Sequence, residues 1–358
     1  MAGRSGSFSP ATPSETSSSD NNSIEKSRKP DNTAFKQQRL PAWQPILTAQ
    51  SVLPAFFVIS VIFIPLGVAL LLASNEVMEF STDYTNCGNN ECAELRNNAS
   101  KMTIPCSCNV TLNVTKHMQT EVYVYYGLTN FFQNHRRYVK SRDDAQLNGQ
   151  SVENSLSNDC SPYRNVNNTS SSPPIAPCGA IANSLFNDTF NFTLEGVTTP
   201  VGINLTGIAW PTDKGQKFNN PGDPNLSISQ RFNGYAKPDF WQKAVYELDT
   251  NNPSNNGFEN EGLIVWMRTA AFPTFRKPYG RIVDGLPKGV YTIQVDYNFP
   301  VQSFDGTKRI IVSTTSWIGG KNNFLGIAYI VVGSLCFAVG IALCIVHQIT
   351  KKTTTGPR

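Results

Sequence analysis

Two uncharged apolar blocks stand out from the polar remainder of the chain. Residues 52–72 contain fifteen Val, Leu, Ile or Phe residues in twenty-one, and residues 324–346 form a second block of twenty-three. Each block is close to the roughly 20 residues that a helix needs to cross the hydrocarbon of a bilayer. Insertion of the first block is favourable by about 5–8 kcal/mol. The pattern therefore predicts two transmembrane helices, over residues 50–73 and 322–347.

The charges around the first block indicate its orientation. Five Lys or Arg residues precede it within residues 26–39, whereas acidic residues follow it and no Lys or Arg occurs before Arg96. Because positive charge favours the cytosolic side, we expect the tails of residues 1–49 and 348–358 to be cytosolic. The block is longer than the apolar region of a signal peptide, about 7–15 residues, so we expect an uncleaved anchor. The loop of residues 74–321 is then lumenal or extracellular.

Charge in this loop is balanced, with twenty-one Lys or Arg residues against twenty-two Asp or Glu residues. The net charge of +4 therefore comes from the tails. A nucleic-acid-binding domain needs a basic face, so we predict no nucleic-acid partner. Positive cytosolic ends suit the anionic lipids of the inner leaflet, which makes membrane lipids predicted partners.

Cysteines and glycan acceptors agree with an extracytosolic loop. Six of the eight cysteines lie in it: Cys87, Cys92, Cys106, Cys108, Cys160 and Cys178. An oxidising compartment favours disulfides over a zinc site at Cys92, Cys106 and Cys108, but six cysteines can pair in many ways. The loop has nine Asn-x-Ser/Thr motifs. Adjacent Asn167 and Asn168 cannot both be used readily, and we predict glycans at Asn98, Asn109, Asn113, Asn187, Asn191, Asn204 and Asn225.

The N-terminal tail changes in composition near residue 30. Residues 1–29 are Ser-rich and polar, which predicts disorder. Residues 30–49 mix the apolar residues Phe35, Leu40 and Trp43 with the basic residues Lys36 and Arg39, as expected of a segment that lies along the cytosolic membrane surface. A disordered juxtamembrane linker is the alternative.

The loop has the pattern of a β-rich domain. Runs of β-branched and aromatic residues, bounded by Gly, Pro and Asn, predict antiparallel strands with long loops between them, and a short helix near residues 130–140. The predicted strands are 121–128, 244–248, 263–270, 290–299 and 309–315. The fold class is therefore a two-pass α-helical membrane anchor with a β-rich, disulfide-bonded, glycosylated ectodomain.

Motifs of catalysis are absent from the sequence. It has no nucleotide-binding loop, nucleophile elbow or zinc-protease motif, and we predict no catalytic, cofactor or metal site and no enzymatic activity.

The second apolar block carries Gly326, Gly333 and Gly340 at seven-residue intervals. Such glycines share one helix stripe and allow another helix to approach closely. The target is either the chain's own first helix or a partner.

The densest run of charge is NHRRYVKSRDD, residues 134–144. One interpretation is an internal salt-bridge network in which Arg142 pairs with Asp143 or Asp144. The other is that Arg136 and Arg137 face the lumenal loops of a partner protein, where a desolvated charge pair matters more than an exposed one.

Five blocks of sequence resemble the cell-division-control-protein-fifty family, the accessory β-subunits of the phospholipid flippases, which are fourth-class P-type ATPases. The blocks are PDNTAFKQQRLPAWQP, NHRRYVKSRDDAQLNG, PIAPCGAIANSLFNDT, VWMRTAAFPTFRK and WIGGKNNFLGIAYIVVGS. They occur in order between residues 30 and 346, with the topology already predicted.

The resemblance implies a non-catalytic subunit and chaperone that forms a heterodimer with the flippase ATPase, allows it to leave the endoplasmic reticulum, and supports phospholipid translocation to the cytosolic leaflet. It implies a location in the endoplasmic reticulum, Golgi, secretory and endosomal vesicles and plasma membrane. It also implies that the ectodomain caps the lumenal loops of the ATPase, that the two helices pack beside it, and that the pre-membrane segment runs along its cytosolic face. Within these regions we predict the interface residues Phe35, Arg39, Trp43, Arg136, Arg137, Gly326, Gly333 and Gly340.

The same resemblance implies the disulfides Cys87–Cys108, Cys92–Cys106 and Cys160–Cys178. Four residues separate Cys87 from Cys92, a wider spacing than the C-x-x-C of close relatives, and Pro211 stands where relatives often carry Trp. From topology alone, two alternatives remain: a two-pass channel subunit, which needs polar pore-lining residues, and an adhesion or receptor ectodomain, which would function without an ATPase.

Overall fold

The computed structural model describes residues 31–41, 48–97, 101, 104–119, 121–150, 155–169 and 171–354, with side chains as far as residue 351. The predicted disordered residues 1–29 lie outside these ranges, as do Trp43 and the glycan acceptor Asn98. The chain divides into two compact units, Met1–Val52 and Leu53–Arg358.

Two long helices form where the apolar blocks predict them. Helix α1 spans Ala49–Glu76 and helix α8 spans Asn323–Thr354, with mean hydropathies of 2.8 and 2.6 in their apolar windows. Both continue a few residues beyond the predicted spans, because a helix can propagate past its hydrocarbon-length core into polar residues. Large side chains such as Val61 and Leu335 are exposed along them. The chain therefore has a two-pass helical anchor.

The described part of the loop contains two four-stranded antiparallel sheets. Sheet A has the order β1-β8-β3-β6, and sheet B has the order β2-β7-β4-β5. The strands are β1 Glu79–Asp83, β2 Ser107–Val114, β3 Val122–Leu128, β4 Thr189–Leu194, β5 Pro200–Val201, β6 Phe275–Ile282, β7 Gly289–Asp296 and β8 Lys308–Ser313. The short helices are α2 Glu91–Asn97, α3 Arg136–Lys140, α4 Asp144–Leu147, α5 Ala180–Asn183, α6 Ile228–Arg231 and α7 Glu261–Met267.

Sheet A connects directly to both membrane helices. β1 begins at Glu79, three residues after α1 ends, and pairs along its length with β8, so that Glu79 lies opposite Ser313. β8 in turn leads through a short turn to α8. The two strands that continue the helices are therefore hydrogen-bonded neighbours, which fixes the ectodomain on the helix pair.

Three predicted strands are confirmed as β3, β7 and β8, and the short helix near residues 130–140 is confirmed as α3. The strand predicted at 263–270 is wrong: this run is helix α7, which begins where the Asn260 side chain accepts a hydrogen bond from Leu263 N at 3.0 Å. A short, fully buried apolar run does not distinguish helix from strand by its periodicity. The strand predicted at 244–248 is also wrong, because Val245–Glu247 is a 3-10 helix.

Three disulfides lie in the described part of the ectodomain. Cys87 is bonded to Cys108, Cys92 to Cys106 and Cys160 to Cys178, the pairing that the resemblance implies. The first two bonds are nested and join the α2 region to β2. Because these thiols are used in disulfides, the zinc alternative at Cys92, Cys106 and Cys108 is wrong.

The two sheets share one hydrophobic core that encloses an ion pair. Inward-facing residues of both sheets, such as Val124 and Ile293, belong to a single cluster. Within it, Lys308 at the start of β8 lies 2.7 Å from the carboxylate of Asp188, and both side chains are 0% exposed. Burial lowers the pKa of Lys308 to about 8, while Asp188 opposes that shift. The carboxylate of Asp188 therefore offsets part of the cost of burying the Lys308 ammonium.

We expect Lys308→Met to destabilise the ectodomain by about 3–5 kcal/mol, because it leaves the Asp188 carboxylate buried without its counter-ion. Denaturant or thermal unfolding of the purified full-length chain measures this loss. Arg309→Met, at the exposed neighbouring position of β8, is the matched control and should change stability by no more than ~0.5 kcal/mol. Equal unfolding midpoints for the two variants would contradict the assignment.

Candidate functional site

The glycine stripe of α8 lies against α1 of the same chain. A Cβ on Gly326 would stand 2.9 Å from the carbonyl oxygen of Gly67, and a Cβ on Gly333 would stand 2.9 Å from the side chain of Ile64 and 3.2 Å from its backbone nitrogen. Gly340 faces Phe57. Of the two targets considered for the stripe, the structure therefore shows the chain's own first helix.

Polar contacts secure the same helix pair at its ectodomain end. Ser74 is buried near the end of α1, where its Oγ accepts a hydrogen bond from Asn322 N at 2.9 Å and donates one to Asn323 Oδ1 at 2.5 Å. These bonds join α1 to the first residues of α8. The two helices are consequently held together by glycine packing along their apolar parts and by hydrogen bonds at their ectodomain end.

An exposed apolar and basic patch lies at the end of sheet A that is remote from the helices. The loops that follow β3 and precede β6 meet there, since Asn134 Nδ2 donates to Ala271 O at 2.9 Å. Phe132 is 56% exposed and Phe272 is 74% exposed. Large aromatic side chains and arginines are enriched among residues that dominate binding energy. We define the distal patch as Phe132, Arg136, Arg137 and Phe272.

Part of the charged run 134–144 forms internal contacts, as the first interpretation predicts, and part of it is exposed, as the second requires. Arg142 pairs with Asp144 at 2.9 Å, and Asp143 caps α4 by accepting hydrogen bonds from Gln146 N and Ser157 N. By contrast, Arg136 and Arg137 are exposed, and neither forms an ion pair with the described residues. The internal network thus accounts for Arg142, and the two α3 arginines remain available to a partner.

Comparison with known proteins gives the family. The sequence profile of the LEM3 (ligand-effect modulator 3) family / CDC50 family matches residues 70–353. The chain belongs to the CDC50 family.

Curated relatives of this CDC50-family chain span plants and animals. It is 50% identical over 345 residues to cell cycle control protein 50A of Mus musculus, covering 92% of this chain and 93% of the relative. It is 48% identical over 331 residues to cell cycle control protein 50B of Homo sapiens, covering 89% and 93%. ALA-interacting subunit 3 of Arabidopsis thaliana is 43% identical over 338 residues, covering 92% and 90%.

Three of the predicted glycan acceptors lie on the outer face of sheet B. Asn109 of β2 and Asn191 of β4 both lie opposite Gln294 of the central strand β7, and Asn113 lies farther along β2 on the same face. All three are exposed, as are Asn204 and Asn225, whereas Asn187 is half-buried. Glycans on Asn109, Asn113 and Asn191 would cover this face of sheet B.

The pre-membrane segment forms a turn within the first unit of the chain. Residues 34–38 are turned, with a backbone hydrogen bond of 2.7 Å from Arg39 N to Ala34 O. The Arg39 side chain donates to Asn32, and Phe35 is 76% exposed. Phe35 is therefore presented outward on a locally closed turn, while the neighbouring Trp43 lies outside the described residues.

The aromatic half of the distal patch was not predicted from the sequence. Phe132 and Phe272 are 140 positions apart, and only the pairing of β3 with β6, which sets Leu128 opposite Phe275, brings their loops together. Each Phe lies in a loop of turn-forming residues. This position was the sequence signal that could have identified both residues, because exposed aromatic residues in loops are candidates for binding.

We expect Gly333→Leu to separate α1 from α8, because the nearest atoms include the backbone of Ile64, which cannot move aside as a flexible side chain can. A cysteine pair introduced across the helices should then cross-link less efficiently in membranes. Ala338→Leu adds similar bulk at an exposed position of the same helix and should leave cross-linking unchanged. Unaltered cross-linking of the Gly333→Leu protein would show that the stripe does not set the packing.

Proposed function

We propose that this chain is the non-catalytic subunit and chaperone of a phospholipid-flippase P-type ATPase. In this role it forms a heterodimer with the ATPase, supports its folding and exit from the endoplasmic reticulum, and remains with it during phospholipid translocation to the cytosolic leaflet. One relative is named ALA-interacting subunit 3, which supports a subunit role. The flippase partner follows from the five sequence blocks that resemble the family of flippase β-subunits.

One observation carries the proposal: the two membrane helices pack on each other through glycine and turn large apolar side chains outward. Val58, Val61, Val331 and Leu335 are all exposed along the pair. No charged residue lies in either apolar block, so the pair offers no polar pathway of the kind that a channel or transporter needs. Such a pair can anchor an ectodomain and pack beside other membrane helices, which is what an accessory subunit requires.

The orientation that we propose places both termini in the cytosol and the ectodomain in the lumen or outside the cell. Positive residues of the tails and the three disulfides support it. The proposed locations are the endoplasmic reticulum, Golgi, secretory and endosomal vesicles and plasma membrane. Phe35, Arg39 and Trp43 are proposed to contact the cytosolic side of the ATPase, and Arg136 and Arg137 its lumenal side.

Affinity purification of the full-length chain from its native membranes tests the partnership directly. We expect a P-type ATPase to co-purify in equal amount, and the complex to hydrolyse ATP when phospholipid is supplied. The isolated chain should not hydrolyse ATP, since its sequence carries no phosphoryl-transfer motif. Lipid-stimulated hydrolysis by the isolated chain, or recovery without any ATPase, would refute the proposal.

Charge reversal tests the distal patch as an ATPase contact. We expect the double variant Arg136→Glu, Arg137→Glu to fold, because both side chains are exposed, and to capture less ATPase. A charge pair desolvated at an interface costs about 2–5 kcal/mol when broken, which corresponds to at least a tenfold loss of binding. The defect should be larger at low salt than at high salt.

Lys288→Glu, at an exposed position before β7, is the matched charge-reversal control and should capture ATPase normally. Normal capture by the double variant would exclude the two arginines from the interface. Failure of the double variant to acquire its disulfides and glycans would instead assign them a structural role.

A further inference from the structure

A cavity of about 420 Å³ lies where the ectodomain meets the two membrane helices. Leu70 of α1 and Leu325 of α8 form its apolar wall, together with Ile318 from the turn before α8. Its opposite wall carries Arg276 of β6 and Lys321. Apolar groups from the membrane helices and cationic groups from the ectodomain therefore face one space.

The position of aromatic residues places this cavity at the depth of lipid headgroups. Trp317, 80% exposed, and Phe324, 77% exposed, flank the segment that supplies Ile318 and Lys321. Exposed aromatic rings at the ends of membrane helices lie at the level of the headgroups. The cavity thus opens toward the leaflet on the ectodomain side, just above the hydrocarbon that α1 and α8 cross.

The two cationic groups have unused hydrogen-bonding capacity. Lys321 is exposed and forms no ion pair with the described residues. Arg276 uses Nη1 to bind Glu79 at 2.6 Å, while its Nη2 lies beside Gly320, where a Cβ would stand only 2.9 Å away. The single carboxylate of Glu79 thus balances only one of the two cations, Arg276 and Lys321, and the excess positive charge is available to an anion.

The frame that holds these groups is already rigid. Buried Ser74 bonds both Asn322 and Asn323, and the turn that presents Ile318 is closed by a hydrogen bond of 2.8 Å from Ser316 N to Gly319 O. Arg276 is fixed by Glu79 and by stacking over the ring of Tyr125, 5.1 Å from its centroid. A ligand would therefore meet donors that need little reorganisation, which preserves binding energy.

We propose that this cavity binds the phosphate of a phospholipid from the leaflet on the ectodomain side, between Lys321 and Nη2 of Arg276. Both guanidinium and ammonium groups bind phosphate through charge-assisted hydrogen bonds. The acyl chains would lie along Leu70 and Leu325, which favours a lipid over a free phosphate ion. The inference rests on the two-span topology and not on the ATPase partnership, so either can fail without the other.

Photocross-linking of the full-length chain in phosphatidylcholine vesicles tests this site. One probe is a phospholipid with a photoactivatable group near the top of an acyl chain; the other is a diacylglycerol with identical chains and no phosphate. We expect the phospholipid to label peptides that contain residues 316–325, and the diacylglycerol to label them about tenfold less, since charge-assisted bonds to phosphate are lost. Lys321→Glu should reduce phospholipid labelling about tenfold, and Lys321→Arg should retain it.

Lys288→Glu serves as the control for charge reversal elsewhere in the ectodomain and should be labelled like the unaltered chain. Each variant is checked for an unchanged unfolding midpoint, which is expected because Lys321 is exposed. Equal labelling by both probes, or by Lys321→Glu and the unaltered chain, would overturn the proposal by showing nonspecific lipid contact. Binding of inorganic phosphate to the purified chain as tightly as the phospholipid binds would overturn the lipid assignment in favour of a phosphate-ion site.

Discussion

The ectodomain depends on the buried ion pair between Lys308 and Asp188. Lys308 begins β8 of sheet A, and Asp188 directly precedes β4 of sheet B, so the pair joins the two sheets through the centre of their common core. Asp188 also accepts hydrogen bonds from Tyr84 Oη and from the backbone nitrogens of Asn298 and Phe299. Lys308 donates to Phe299 O at 2.7 Å and lies 3.1 Å from the centroid of the Tyr297 ring. Removal of these charges from water costs several kcal/mol for each ion, and only this near-complete set of partners offsets the cost.

That constraint makes folding of the ectodomain dependent on contacts between distant parts of the chain. The two charged residues are 120 positions apart. Until both sheets form, each charge is more stable in contact with water than in the protein core. In an incompletely folded ectodomain, the charged groups of Lys308 and Asp188 therefore oppose burial of the surrounding core. Nested disulfides reduce the freedom of the unfolded chain in the same region, since they tie residues near α2 to β2. These disulfides form under oxidising conditions.

The sequence predicted the features that depend on local pattern and missed those that depend on distant pairing. The membrane helices, three strands and the short helix α3 follow from periodicity and composition. β6 was missed because Pro278 interrupts its pattern. The strand tolerates proline because it lies at the edge of sheet A and because the register shifts there: Val124 and Tyr125 of β3 lie opposite Gly280 and Pro278. The buried run before Met267 was assigned to a strand, although its capping residue, Asn260, was visible in the sequence. The ion pair, the distal patch and the cavity near Lys321 each join segments far apart in the chain, and no local pattern contains them.

Close helix packing and sheet register together determine what the molecule can present to a partner. Gly67 and Gly326 bring the two backbones into contact, and the Ser74 bonds hold the ends of the helices near β1 and β8. The ectodomain therefore cannot turn freely on its anchor, because β1 and β8 pair within three residues of α1 and ten residues of α8. A partner that binds the outer face of the helices thereby meets sheet A in a fixed orientation. The glycine contact within the membrane is thus what gives the ectodomain surfaces a defined position relative to any protein beside them.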